Sequence, residues 1–180
     1  MKNLLKTYYQ FTDYQIAQLH HLSKTVFSEI SKLLIMGIFF RNELDIFCAA
    51  VITLWLLRIS TGGIHCKTYI SCFLLSFTYM FISIRLLPLI PINKLFQMIL
   101  LFVCIQVNYR IGPVTSDIHL PLTQKYIKKG RLNAFVIIFF FLVITYIIPE
   151  NKYITACFWI IILHTLQLII AKIRKKGDLA

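Results

Sequence analysis

The 180-residue chain is 58% hydrophobic and carries a formal net charge of +12, and its mean hydropathy is +0.75. That is more apolar side chain than the core of a water-soluble domain of this size can hide, so an ordinary soluble fold is excluded and lipid is the solvent for much of the chain. The basic residues flank apolar runs and form no stripe interleaved with stacking aromatics, so the charge reads as a topology signal and an attraction to anionic lipid headgroups; nucleic acid is not an expected partner.

Residues 1–25 are the first element in chain order. Leu4, Leu5, Tyr8, Tyr9, Phe11, Tyr14, Ile16 and Leu19 lie among lysines and glutamines, the pattern of an amphipathic helix on a membrane surface. Lys6, Gln10, Asp13 and Gln15 interrupt it before any small-residue cleavage site, so it has no cleavable signal architecture. His20 and His21 fit interfacial solvation. From Val26 to Phe40 an apolar run contains Glu29 and Lys32; it is long enough for about half to two-thirds of a bilayer and crosses only with thinning or snorkelling.

Five clearer spans follow, at roughly 44–59, 69–89, 94–110, 133–149 and 153–172. Arg41-Asn42-Glu43 precedes the first, Pro88 and Pro91 break the chain between the second and third, and Pro149-Glu150-Asn151-Lys152 turns it before the last. The expected fold is all-α: a polytopic membrane bundle of five to six transmembrane helices plus the N-terminal amphipathic helix. Its membrane-embedded domain covers 26–172 and a basic tail covers 173–180. No internal repeat is present, which argues against an inverted-repeat transporter.

Lysine and arginine set the orientation. Lys2, Lys6 and Lys24, then Arg58 and Lys67, then Arg110, Lys125, Lys128, Lys129 and Arg131, then Lys172, Arg174, Lys175 and Lys176 fall on one side if 26–40 crosses. Arg41, Arg85, Lys94 and Lys152 fall on the other, and Lys32 is within a helix. The positive-inside rule makes the first side cytoplasmic and the protein a multi-pass resident of the cell membrane.

The five cysteines, Cys48, Cys66, Cys72, Cys104 and Cys157, form no CxxC pair and no even disulfide framework, so most read as small buried hydrophobes. The segment that can carry chemistry is 58–72, Arg58-Ile-Ser-Thr-Gly-Gly-Ile-His-Cys-Lys-Thr-Tyr-Ile-Ser-Cys72. It lies at a cytoplasmic mouth and joins a Gly62-Gly63 pair to a histidine and two thiols. Imidazole can take a thiol proton and leave a thiolate that attacks a carbonyl. A continuous helix over 65–72 would hold His65 and Cys72 about 10 Å apart, beyond the ~3 Å of a hydrogen bond. The pair therefore requires His65 on a loop or helix entry folded back through Gly62 and Gly63, with Cys72 inside the start of the next helix, or assembly on substrate binding.

Arg-x-x-x-Gly-Gly-x-His followed seven residues later by Cys, between two spans, resembles the accessory gene regulator B (AgrB) family. The close match covers Arg58 to Cys72, and span layout, basic tail and length agree across most of the chain. The resemblance implies a cysteine endopeptidase with His65 and Cys72 as catalytic dyad. It implies that Cys72 is preferred over Cys66, whose place next to His65 turns its side chain away. The implied partner is a short amphipathic AgrD-like precursor. Cys72 would form a thioester with it, and a cysteine or serine within the peptide would displace the enzyme, releasing a thiolactone or lactone for quorum sensing. Gly112-Pro113 to Pro121-Leu122 resembles the family's loop after the third span, with Ile118-His119-Leu120 less polar than that pattern. A homodimer is a further implication.

Other residues carry two readings each. Arg58 is a topology anchor or a binder of a precursor carboxylate, and Gly62 and Gly63 form a plain turn or donate amides to an oxyanion. Lys128 and Lys129, with Lys125 and Arg131, anchor topology or dock an acidic precursor tail. His164, with Gln167 one turn on, reads as a satisfied polar position inside the bundle. No second ligand cluster accompanies His65, Cys66 and Cys72, so neither a metal nor another cofactor is expected. The competing class is a small membrane transporter or channel in which His65 and the glycines form a substrate loop.

Overall fold

The computed structural model describes residues 13–63, 68–114 and 123–177. It divides into two units, 1–42 and 43–180. In the first, α1 (Asp13–Phe39) runs without a break from the later half of the amphipathic stretch through the apolar run, residues 1–12 lying outside the described residues. Glu29 and Lys32 pair one turn apart on it. Phe27, Ile30, Leu34 and Ile38 are exposed at helical spacing, an apolar stripe suited to lipid.

A 3-10 turn, Arg41–Glu43, crosses the boundary, and the second unit contains five helices: α2 (Leu44–Thr61), α3 (Tyr69–Phe81), α4 (Lys94–Ile111), α5 (Gln124–Ile147) and α6 (Lys152–Gly177). With its continuation to Leu89, α3 joins the other four as helices long and apolar enough to cross a membrane. This matches the all-α polytopic architecture read from the sequence. Among the described residues there is no β-strand, only one isolated parallel bridge between Gly62 and Val114.

Inside the bundle each helix turns one stripe inward. On α4 that stripe is Gln97, Leu101, Cys104, Ile105 and Asn108, positions three and four apart as one helical face requires. Leu57, Leu101, Cys104, Ile105, Ile138, Phe158 and Ile161 form the packed centre. Ile52, Trp55, Phe102, Val103, Phe139 and Phe140 are exposed on the outside, where lipid chains and not water would cover them. Buried hydroxyls return to their own helix: Thr61, Ser83 and Thr165 donate to the carbonyls of Leu57, Tyr79 and Ile161 at 2.8, 2.7 and 2.8 Å. That satisfies each hydroxyl donor without a neighbouring helix.

Two spans differ in shape from simple expectation. After Phe81, α3 widens to a π segment, Ile82–Leu86, and ends in a 3-10 turn, Leu87–Leu89. Pro88 has no N–H for the carbonyl one turn back, and the helix loosens ahead of it. α5 starts at Gln124, nine residues before its apolar run, and takes up Lys125, Lys128, Lys129 and Arg131. Lys, Gln and Arg are good helix formers, so the apolar boundary marks entry into lipid and not the start of the helix.

Successive spans alternate in direction, giving the bundle two ends. At the first, Arg85 donates to Glu43 at 3.1 Å, Gln97 donates to Glu150 at 2.8 Å, and Tyr153 donates to Asp45. A cleft of about 400 Å³ opens there beside Pro91, Gln97, Glu150 and Trp159. The second end holds Gly62, Gly112 and Gly130, with residues 58–63 and 68–72.

Candidate active site

The last turn of α2 is fixed by its carbonyls. Gly62 N–H donates to Arg58 O at 2.8 Å and Val114 N–H donates to Thr61 O at 3.0 Å. The first bond closes the helix and the second pins the strip after α4 against it. Gly62 has φ +75, and a Cβ there would stand under 3.0 Å from the Val114 carbonyl oxygen. Both the backbone angle and the close approach demand glycine. Gly130 of α5 sits equally close to the Ser60 carbonyl, and Arg131 Nε donates to Gly112 O at 3.0 Å. α2, α5 and the strip 112–114 are thereby tied together at this end.

Gly63 faces inward. A Cβ built on it would lie 3.7 Å from Arg58 Nε and 3.8 Å from Gln167 Nε2. Arg58 Nε and both amide atoms of Gln167 are buried, with no hydrogen-bond partner among the described residues. His164 Nε2 lies 2.7 Å from Thr61 Oγ1. The same hydroxyl lies 2.8 Å from Leu57 O, and His164 Nδ1 is buried without a partner among the described residues. Asn108 donates to Thr165 Oγ1 at 2.8 Å, while its Oδ1 is likewise buried without a partner.

Across this end, Thr68 caps α3 by accepting from Ser71 N–H at 3.3 Å. Cys72 is the fourth residue of α3, its N–H donating to Thr68 O at 3.1 Å. It begins the stripe Cys72, Ser76, Tyr79, Met80, Ser83, which passes from half-buried to buried, while Ile70, Ser71, Leu74 and Leu75 are exposed. The thiol-bearing position therefore lies on the inner face.

Arg58, Gly62 and Gly63 come together here. Lys128 and Lys129 do not join them: they are exposed in the second turn of α5, next to the Gly130 contact. His65 and Cys66 fall within 64–67, outside the described residues, as does His119 within 115–122. Two sequence expectations are met in part. Cys104 and Cys157 are buried but Cys48 is exposed, because its position on α2 faces outward. The His164 and Gln167 site is only partly satisfied. His164 has Thr61, but buried Gln167 has no partner among the described residues. Hydropathy marks such a residue as inside without saying what it meets.

Among the described residues no group of three His, Cys, Asp or Glu side chains could hold a metal ion. The arrangement is one of an inward cysteine near a helix start, a glycine-built backbone turn and buried N–H donors. This donor set suits acyl transfer.

Comparison with known proteins agrees with the layout. A protein from Clostridium beijerinckii described as AgrB-like is 26% identical over 131 residues, which is 69% of this chain and 66% of that protein. This chain thus spans slightly under two-thirds of that relative. No solved structure matches. The profile of the family described as accessory gene regulator B matches residues 18–169, taking in all five long apolar helices except the last turns of α6, and the chain is a multi-pass membrane protein that belongs to the accessory gene regulator B family.

Proposed function

We propose that this protein is a membrane cysteine endopeptidase that processes a small AgrD-like precursor in accessory-gene-regulator quorum sensing, with Cys72 as nucleophile and His65 as its base. The observation that carries this is the position of Cys72. It opens the inner stripe of α3 at the same end of the bundle as Gly62, Gly63 and Arg58. A nucleophile needs both access and a shielded inner face, and half-burial at the start of a helix supplies them.

The thiolate attacks the scissile carbonyl, and the C-terminal part of the precursor leaves as an amine that takes the proton held by His65. A cysteine or serine side chain of the precursor then displaces Cys72 and closes a thiolactone or lactone. Excluding water favours this second step, since hydrolysis of the thioester competes with it. The basic residues gathered at the Gly62 end support a cytoplasmic active site. Lys128 and Lys129, exposed there, are suited to an acidic precursor tail, and Arg58 to a carboxylate nearer the cut. A homodimer is the assembly that fits the family.

The test is mass spectrometry of a candidate small amphipathic precursor with an internal cysteine or serine, incubated with membranes holding wild type, Cys66→Ala, Cys72→Ala or His65→Ala protein. The expected result is cleavage in the first two only, with a ring-closed fragment lighter by one water than the linear one. Processing by Cys72→Ala at the wild-type rate would sink the mechanism and favour a transporter.

A further inference from the structure

Gln167 has both amide atoms buried, the residue being 6% exposed, and neither has a partner among the described residues. A buried amide with nothing to bond is costly enough to be rare in a native interior. Its Nε2 lies 3.8 Å from where a Cβ on Gly63 would stand, two residues before His65 in the sequence.

Helix geometry relates this amide to Cys72. Tyr79 of α3 donates to the Ile160 carbonyl of α6 at 3.0 Å. α3 and α6 are the second and fifth spans and so run in opposite directions. Moving toward the Gly62 end, seven residues back along α3 leads from Tyr79 to Cys72, and seven residues forward along α6 leads from Ile160 to Gln167. Seven residues are two turns less about 20°, or about 10 Å of rise, on either helix. Cys72 and Gln167 therefore reach the same level on the two faces that meet at Tyr79 and Ile160. α6 packs mainly against 82–89 and only thinly against 69–81. Among the described residues, Cys72 and Gln167 thus lie at the more thinly packed end of the contact between these helices.

We infer that the Gln167 side-chain amide donates a hydrogen bond to the oxyanion formed when Cys72 attacks a peptide carbonyl. This rests on Cys72 being the nucleophile. In the step, sulfur bonds to the carbonyl carbon and the C=O π pair moves to oxygen, which accepts from Gln167 Nε2–H. Collapse restores C=O, breaks the C–N bond and expels the amine with the proton that the base took from the thiol. The ground-state peptide leaves the donor underused, and the transition state fills it.

The experiment compares two reactions at one thiol in the full-length protein in membranes. p-Nitrophenyl acetate acylates Cys72 through a tetrahedral oxyanion, with p-nitrophenolate leaving; iodoacetamide alkylates it by displacement at an sp³ carbon, with no oxyanion. Modification is read by mass spectrometry on the tryptic fragment Thr68–Arg85, in which Cys72 is the sole cysteine. In Gln167→Leu and in the isosteric Gln167→Glu, acylation is expected to fall by about 10²–10³, with alkylation within about twofold of wild type. Acylation at the wild-type rate in both variants would overturn the role of Gln167 while leaving Cys72 as nucleophile. An equal loss of acylation and alkylation in both variants would also overturn it, since that marks a structural effect. Failure of the underlying reading looks different: Cys72 in wild type would be acylated no faster than exposed Cys48.

Discussion

At Gly62 the backbone has φ +75 and a Cβ would press on the Val114 carbonyl, whereas at Gly63 the nearest heavy atom to a Cβ stands 3.7 Å away on a flexible arginine. The two glycines therefore differ in what replacement costs. Gly62→Ala is expected to destabilise the protein by about 1–3 kcal/mol from the backbone angle alone, with further cost from the displaced 112–114 strip. Gly63→Ala should leave thermal unfolding in detergent nearly unchanged. A melting curve for each variant checks the contrast, and equal shifts would contradict the geometry. The same residue-scale logic separates the polar groups. His164 is held by Thr61, but Gln167 carries donors that no described residue uses, which is why the oxyanion role falls to the glutamine.

The elements meet most tightly where side chains are smallest. Gly130 lets α5 approach the Ser60 carbonyl of α2 closer than any Cβ allows, and Arg131 one residue on donates to Gly112. Gly130→Ala must push two backbones apart, at a cost of about 1–3 kcal/mol. The expected outcome is a lower melting temperature and faster tryptic cleavage after Lys128 and Lys129. Lys128→Ala, at an exposed position, should show neither loss of stability nor faster cleavage after Lys129. The contact of α3 with α6 is uneven. Pro88 and the π segment anchor its far end, while among the described residues α6 meets the Cys72 end only thinly.

On the scale of the whole molecule, charge sorts between the two ends. Arg41, Arg85, Lys94 and Lys152 lie toward the Glu43 end; Arg110, Lys125, Lys128, Lys129, Arg131, Lys172 and Arg174 lie toward the Gly62 end. With the Gly62 end cytoplasmic, a membrane-impermeant maleimide applied to intact cells should label Lys94→Cys and Asn151→Cys above the wild-type background. Lys128→Cys should react only after the membrane is opened. The reverse pattern would place the proposed active site outside the cell.

The sequence by itself determined the class and the order of the fold. Hydropathy reports transfer into lipid, so five apolar runs were enough to give five spans. Proline and clustered polar residues gave most of the turns between them. The segment 58–72 stood out because it combines two glycines, a histidine and two thiols within a single connection. Sequence could not give what depends on contacts between distant segments. Gly62 against Val114, Gly130 against Ser60 and Thr61 against His164 join residues on different helices, and nothing in local composition encodes such pairings. Gln167 shows the limit most clearly. One polar residue in an apolar helix has the same hydropathy whether it faces a partner or a gap, and only the crossing of α3 and α6 at Tyr79 and Ile160 put it level with Cys72.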